Sequence, residues 1–298
     1  MDGRLDTPET LERRRIGVFL AVAFGVSWAT ALALWLTGGL ADSPEIAEGI
    51  TLAAVLLPTA YMFGPAVGNV AARLATGEGW ERHRLRPEFE GTMWTYAAAW
   101  LAPAVLTVVG AALYFAVFPG QFDPTMAAFR EQVASMGVGM APWLLAAIQI
   151  VSALTIAPLV NGLFAFGEEF GWRAYLLPKL APLGKRRAVV LSGVIWGVWH
   201  WPLVAMGYNY GFDYPGFPWT GMLAFLVFTV GAGTFLAALT IREGSVWPAS
   251  IGHGAINAIA SVSVLFVAGQ PNTLLGPTPV GVLAALPWLL VAAWLLRR

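Results

Sequence analysis

The sequence contains no cysteine. Disulfides, thiolate nucleophiles and Cys-ligated metals are therefore excluded. Charge is scarce too. Asp, Glu, Lys and Arg make up 11% of the residues, against about a quarter in a soluble domain. The 17 basic and 17 acidic residues cancel, so no global field favours nucleic acid, and no such partner is expected. There is no internal repeat, low-complexity tract or linker that would divide the chain. Residues 1–298 are expected to form a single polytopic membrane domain.

What is abundant is apolar surface, at 58% of residues. A soluble protein of this composition could not cover itself with polar groups, whereas lipid favours an apolar exterior. Apolar runs of membrane-crossing length, about 20 residues, recur near 16–37, 50–73, 92–118, 141–177, 188–206, 219–240, 247–268 and 279–296. The fourth is expected to kink at Pro158, which cannot donate an i−4 hydrogen bond. The fold class is all-α integral membrane protein: about eight transmembrane helices in one bundle with an intramembrane polar cavity. The weakly amphipathic stretch 123–137 reads as an interfacial segment. The first apolar run, after Arg13, Arg14 and Arg15, is longer than a signal-peptide core and has no clear cleavage site, so it reads as a retained span.

Lys and Arg set the orientation. The N-terminal arm, Arg73 with Arg82, Arg84 and Arg86, and Arg173 with Lys179, Lys185, Arg186 and Arg187 fall on one side. Arg242, Arg297 and Arg298 join them, leaving Arg130 as the exception among the 17 basic residues. The expected location is a cell (plasma or inner) membrane, multi-pass, with both termini cytoplasmic.

Ionised groups are costly in hydrocarbon, so those within spans are functional candidates by default. Glu169 and Arg173 are four residues apart and share a helix face. Glu168 projects about 100° away from Glu169 and need not share that arginine. His200 follows Trp196 by four residues, and Asn257 follows His253 by four. Glu168, His200 and His253 lie on three different spans, each roughly 7–12 residues, or about 10–18 Å, from the cytoplasmic end. The remaining histidine, His83, falls in a basic loop and reads as a solvated side chain.

This set suits acid–base hydrolysis without a covalent nucleophile. A desolvated Glu168 can activate water as general base, and His200 can orient that water or pass the proton. His253 and Asn257 can donate to the oxyanion of a tetrahedral intermediate. A zinc reading competes, with Glu168, His200 and His253 as a His2Glu set and an open water position. Bundle salt bridges and interhelical hydrogen bonds are the bland reading of each pair taken alone. Buried Glu and His also suit a proton-coupled transporter, but no paired broken helices recur in two matching halves.

The series Glu168-Glu169-x-x-x-Arg173, Trp196-x-x-x-His200 and His253-x-x-x-Asn257 resembles the three-motif signature of the CPBP (CAAX protease and bacteriocin-processing, or ABI) intramembrane endopeptidases, which include the type II CAAX prenyl endopeptidases. The resemblance implies an eight-helix membrane fold with a cavity open to cytosol and lipid, and peptide-bond hydrolysis. It implies Glu168 as the water-activating carboxylate and His200 as its partner. His253 and Asn257 become the oxyanion stabilisers, with Glu169 and Arg173 as a supporting pair. Trp196 stands where the family often has Phe, and reads as packing. Metal-free glutamate chemistry is favoured, with no cofactor and zinc as the alternative. The expected partners are membrane lipid and a protein or peptide substrate, prenylated or otherwise membrane-associated, entering from the cytosol or laterally. The family also holds bacteriocin-immunity proteins, so a non-proteolytic immunity or scaffold role is the alternative function.

Overall fold

The computed structural model describes residues 8–80, 84–87, 90–137 and 139–298. Arg82 and His83 of the basic loop lie outside the described residues.

The chain is an all-helical membrane protein. Among the described residues, six helices are long and apolar enough to cross a bilayer: α1 (Arg13–Leu36), α2 (Leu52–Thr76), α3 (Met93–Val117), α7 (Lys185–Ala205), α8 (Trp219–Glu243) and α9 (Trp247–Phe266). Between α3 and α7 lie a short helix α4 (Ala127–Ser135) and a bent pair, α5 (Pro142–Leu154) and α6 (Ala157–Leu183), which is long and apolar enough to make a seventh span if it crosses as one. The last helix, α10 (Leu286–Arg297), is apolar but only 12 residues long. A two-stranded ribbon, β1 (Glu45–Ala47) and β2 (Ile50–Thr51), closes the α1–α2 connection.

The kink in the fourth span is present, at 55°, but is displaced from mid-helix. Helix α5 stops at Leu154, and Pro158 sits in the first turn of α6. There its missing N–H costs nothing, because a first-turn donor has no intrahelical partner. The eighth span is corrected more heavily. Residues 279–285, expected as its first turns, instead close a tight loop in which Val282 and Leu283 donate to the carbonyls of Leu274 and Leu275. A Cβ on Gly281 would lie 2.2 Å from the Gly276 nitrogen, so this close approach tolerates only glycine.

Helix α8 forms the centre, with 72% of its most apolar window buried, whereas α1 has only 22%. The large apolar residues on the outside, such as Leu32, Val105, Leu163 and Leu290, are the lipid-facing surface such a bundle requires. Small residues set the distances between the helices that carry the three motifs. A Cβ on Gly254 of α9 would meet the Pro158 carbonyl oxygen of α6 at 2.3 Å. One on Gly171 would meet the Pro65 carbonyl oxygen of α2 at 2.6 Å. Backbone contact of this closeness is how membrane helices gain packing without a hydrophobic drive.

Candidate active site

Helix α6 carries Glu168, Glu169 and Arg173, and its hydrogen-bond register widens to a π-turn over Trp172–Leu176. Such insertions concentrate at functional sites. All three charged side chains are at most 2% exposed. Arg173 Nη1 donates to Glu169 Oε1 at 3.0 Å, as the four-residue spacing predicts. The same carboxylate oxygen meets His253 Nδ1 of α9 at 2.8 Å. Glu169 is thus the hinge between two helices rather than a partner of Arg173 alone.

Glu168 has a different partner. Its Oε2 accepts the indole N–H of Trp196, from α7, at 2.7 Å. The guanidinium of Arg173 lies over that indole, 4.4 Å from the ring centroid. The imidazole of His253 meets it edge-on at 5.2 Å. Trp196 therefore binds the three motifs together, a role that its reading as a packing residue missed. The signal was there: an indole N–H buried in a span needs an acceptor, and Glu168 was the nearest unpaired one.

His200 sits at the C-terminal end of the Lys185–Trp199 helical segment, where its Nδ1 meets the Trp196 carbonyl oxygen at 2.9 Å. A carbonyl only accepts, so Nδ1 carries the proton and a neutral ring leaves the Nε2 lone pair free. The ring stands between Trp199, 4.6 Å away, and Phe225, 4.8 Å away. The preceding carbonyl, that of Trp199, accepts from Tyr61 Oη at 2.6 Å and from Trp28 Nε1 at 3.0 Å. Helices α1 and α2 thereby brace the segment that holds His200. Nothing in the three motifs pointed to Trp28 or Tyr61; the available signal was a phenol inside an otherwise apolar span.

Six of the seven expected site residues thus converge: Glu168, Glu169, Arg173, Trp196, His200 and His253. Asn257 does not join their hydrogen bonds. It lies one turn beyond His253 and is exposed. Several buried polar atoms in the cluster have no protein partner, namely Glu169 Oε2 and Arg173 Nε and Nη2. Among the described residues no three of His, Cys, Asp and Glu gather in a metal-holding arrangement. The zinc set of Glu168, His200 and His253 is therefore not assembled in this geometry.

Buried acids and histidines from three helices thus meet inside a helical membrane protein. Residues 142–259, about two fifths of the chain and all three motifs, match the family model described as type II CAAX prenyl endopeptidase Rce1-like. Over that stretch the chain is similar to the CAAX-type prenyl endopeptidases that the model describes. No curated protein matches the chain.

Proposed function

We propose that this protein hydrolyses a peptide bond of a membrane-associated protein or peptide by glutamate-activated water. The observation that carries this reading is the separation of the two neighbouring carboxylates. Glu169 is tied to Arg173 and His253, whereas Glu168 has a single neutral donor, Trp196. Glu168 is thus anchored by one oxygen without being neutralised by a cation at hydrogen-bond distance, which suits a general base.

In the reaction, Glu168 takes a proton from water as the water oxygen attacks the scissile carbonyl carbon. The protonated Glu168 then hands that proton to the departing amine nitrogen. His200, its tautomer fixed by the Trp196 carbonyl, accepts a hydrogen bond from the water at Nε2 and aims it. His253 stabilises the oxyanion. To donate from Nε2 while Nδ1 donates to Glu169, it must carry both ring protons. Asn257, exposed on the same helix face, is the second oxyanion donor and meets the substrate from the open side.

The bias of basic residues supports cytoplasmic termini and access from the cytosolic side or laterally. Reporter fusions near residues 45 and 85 are expected to read outside and inside; the reverse would overturn that orientation. The test of the hydrolytic reading is Glu168→Gln, which keeps shape and the Trp196 bond but removes the base. Turnover of a membrane-associated peptide substrate should fall by orders of magnitude with unchanged thermal unfolding. Wild-type turnover in the variant would refute the assignment.

A further inference from the structure

Between the two pieces of α7, Lys185–Trp199 and Trp201–Ala205, the helix is interrupted at His200. Pro202 has no N–H to donate. The next donor, Leu203 N–H, would reach the Trp199 carbonyl four residues back in a continuous helix. It goes instead to the His200 carbonyl at 2.9 Å, and Val204 N–H goes to the same carbonyl at 3.1 Å. The Trp199 carbonyl is thereby released from the ladder inside a span, where an unsatisfied backbone group is costly and bulk water is absent. It accepts two side-chain donors from other helices, Tyr61 Oη of α2 at 2.6 Å and Trp28 Nε1 of α1 at 3.0 Å.

We propose that Tyr61 and Trp28 are positioning residues for His200: by holding the Trp199 carbonyl out of the helix, they stabilise the break that aims the imidazole. This rests on the hydrolytic reading above, in which His200 orients the attacking water. The first argument is competition. A switch of Leu203 N–H from the His200 carbonyl to that of Trp199 would carry the helix through the break and turn the His200 peptide, and the ring with it. Two donors already seated on the Trp199 carbonyl oppose that switch. The second is that Tyr61 is itself fixed. It is 1% exposed and closes a π-turn, Leu57–Tyr61, around Pro58, a register change of the kind that concentrates at functional sites. Its own carbonyl accepts from Ser27 Oγ of α1 at 2.8 Å. A Cβ on Gly64 would collide with that hydroxyl, so this glycine keeps room for the bond. The third is mechanical continuity. The Tyr61 ring lies 4.3 Å from the Trp199 ring, which in turn meets the His200 ring edge-on at 4.6 Å. Tyr61 and Trp28 therefore act through the peptide and ring of Trp199, not on substrate.

The test uses purified full-length protein carrying isotope-labelled histidine. It reads turnover of a membrane-associated peptide and the His200 imidazole signal by nuclear magnetic resonance, assigned by its loss in His200→Ala. Tyr61→Phe keeps the ring and removes the donor. It should lower kcat about 3–10-fold, the worth of one neutral hydrogen bond, with KM little changed. Trp28→Phe should act in the same direction and more weakly, since its bond is the longer. The double variant leaves the carbonyl with neither donor. Its kcat should fall about 30-fold or more, and its His200 signal should move further than that of His253. Trp35→Phe, on the same helix as Trp28, should change neither readout. A positioning role leaves turnover in a His200→Ala background unaffected by Tyr61→Phe, because the group being positioned is already gone. Equal losses in the wild-type and His200→Ala backgrounds would overturn the proposal, as would a double variant with an unmoved His200 signal. If the double variant fails to fold, the signals of the single variants decide in the same way. Absence of turnover in wild type would refute the hydrolytic reading alone, and the His200 signal would still decide whether these two donors set its ring.

Discussion

The indole N–H of Trp196 reaches across the α6–α7 interface to Glu168 Oε2 at 2.7 Å, while the carbonyl of the same residue holds Nδ1 of His200 at 2.9 Å. One residue thereby positions both groups assigned to the attacking water. Its ring also lies against Arg173 and His253, so main chain, indole nitrogen and ring face each serve a different motif.

Trp196→Phe separates these functions. It keeps an aromatic ring and the carbonyl but deletes the donor to Glu168. A hydrogen bond to a charged group contributes about 1.5–3 kcal/mol. We expect turnover to fall about tenfold or more, with a smaller change in substrate KM. Unchanged turnover in the variant would show that the indole bond is dispensable for Glu168.

Glu169→Gln removes the charge that Arg173 and His253 share. Breaking a buried pair from one side costs roughly 3–5 kcal/mol, so thermal unfolding should shift strongly downward, and activity should drop because His253 loses the carboxylate that orients its ring. The double variant Glu169→Gln with Arg173→Met should recover part of the stability without recovering activity. A single variant as stable as wild type would mean that the pair is solvated.

Asn257→Ala distinguishes an oxyanion donor from a bystander. Loss of one such donor slows turnover by about 10²–10³. Chelation, in the metal-free reading, leaves both variant and wild-type activity unchanged. Stoichiometric zinc lost together with activity, and restored with it, would instead require a metal centre that these side chains must rearrange to form.

The start of α1 carries a pH prediction. Burial by itself would raise the Glu12 carboxyl, but its hydrogen bond to Lys179 and the charges of Lys179 and Arg15 outweigh this and hold it below its ordinary value. A carboxylate depressed on folding adds stability that is fully present above its unfolded pKa and is lost as pH falls through its folded one. Wild type should therefore be the more stable protein above about pH 4 and lose stability more steeply below it, converging on Glu12→Gln, whose stability varies less there. Identical acid limbs in both proteins would remove Glu12 from the account.

Most of the fold was legible because lipid imposes so simple a rule on sequence. Six of the expected apolar runs coincide with helices long and apolar enough to cross a bilayer, and a seventh with the bent pair. The eighth begins later than expected, because mean hydropathy carries no information about the Gly281–Gly276 approach, which turns residues 279–285 into a loop. In the site, the Glu169–Arg173 bond was readable from spacing alone. The attachment of His253 to Glu169 was not, and the sequence reading had paired His253 in role with Asn257 instead.

The sequence by itself determined that this chain lies in a membrane, which ionisable residues fall within its spans, and that Glu169 faces Arg173. Each follows from a local quantity: apolar run length, the cost of charge in hydrocarbon, and the helical repeat. Only the tertiary structure decided that Glu169 also holds His253, that Trp196 holds Glu168, and that Asn257 stays at the open edge. Those relationships depend on how α6, α7 and α9 are rotated and how closely they pack. Contacts such as Gly254 against Pro158 fix that geometry, and no periodicity along a single helix encodes the angle at which it meets its neighbour.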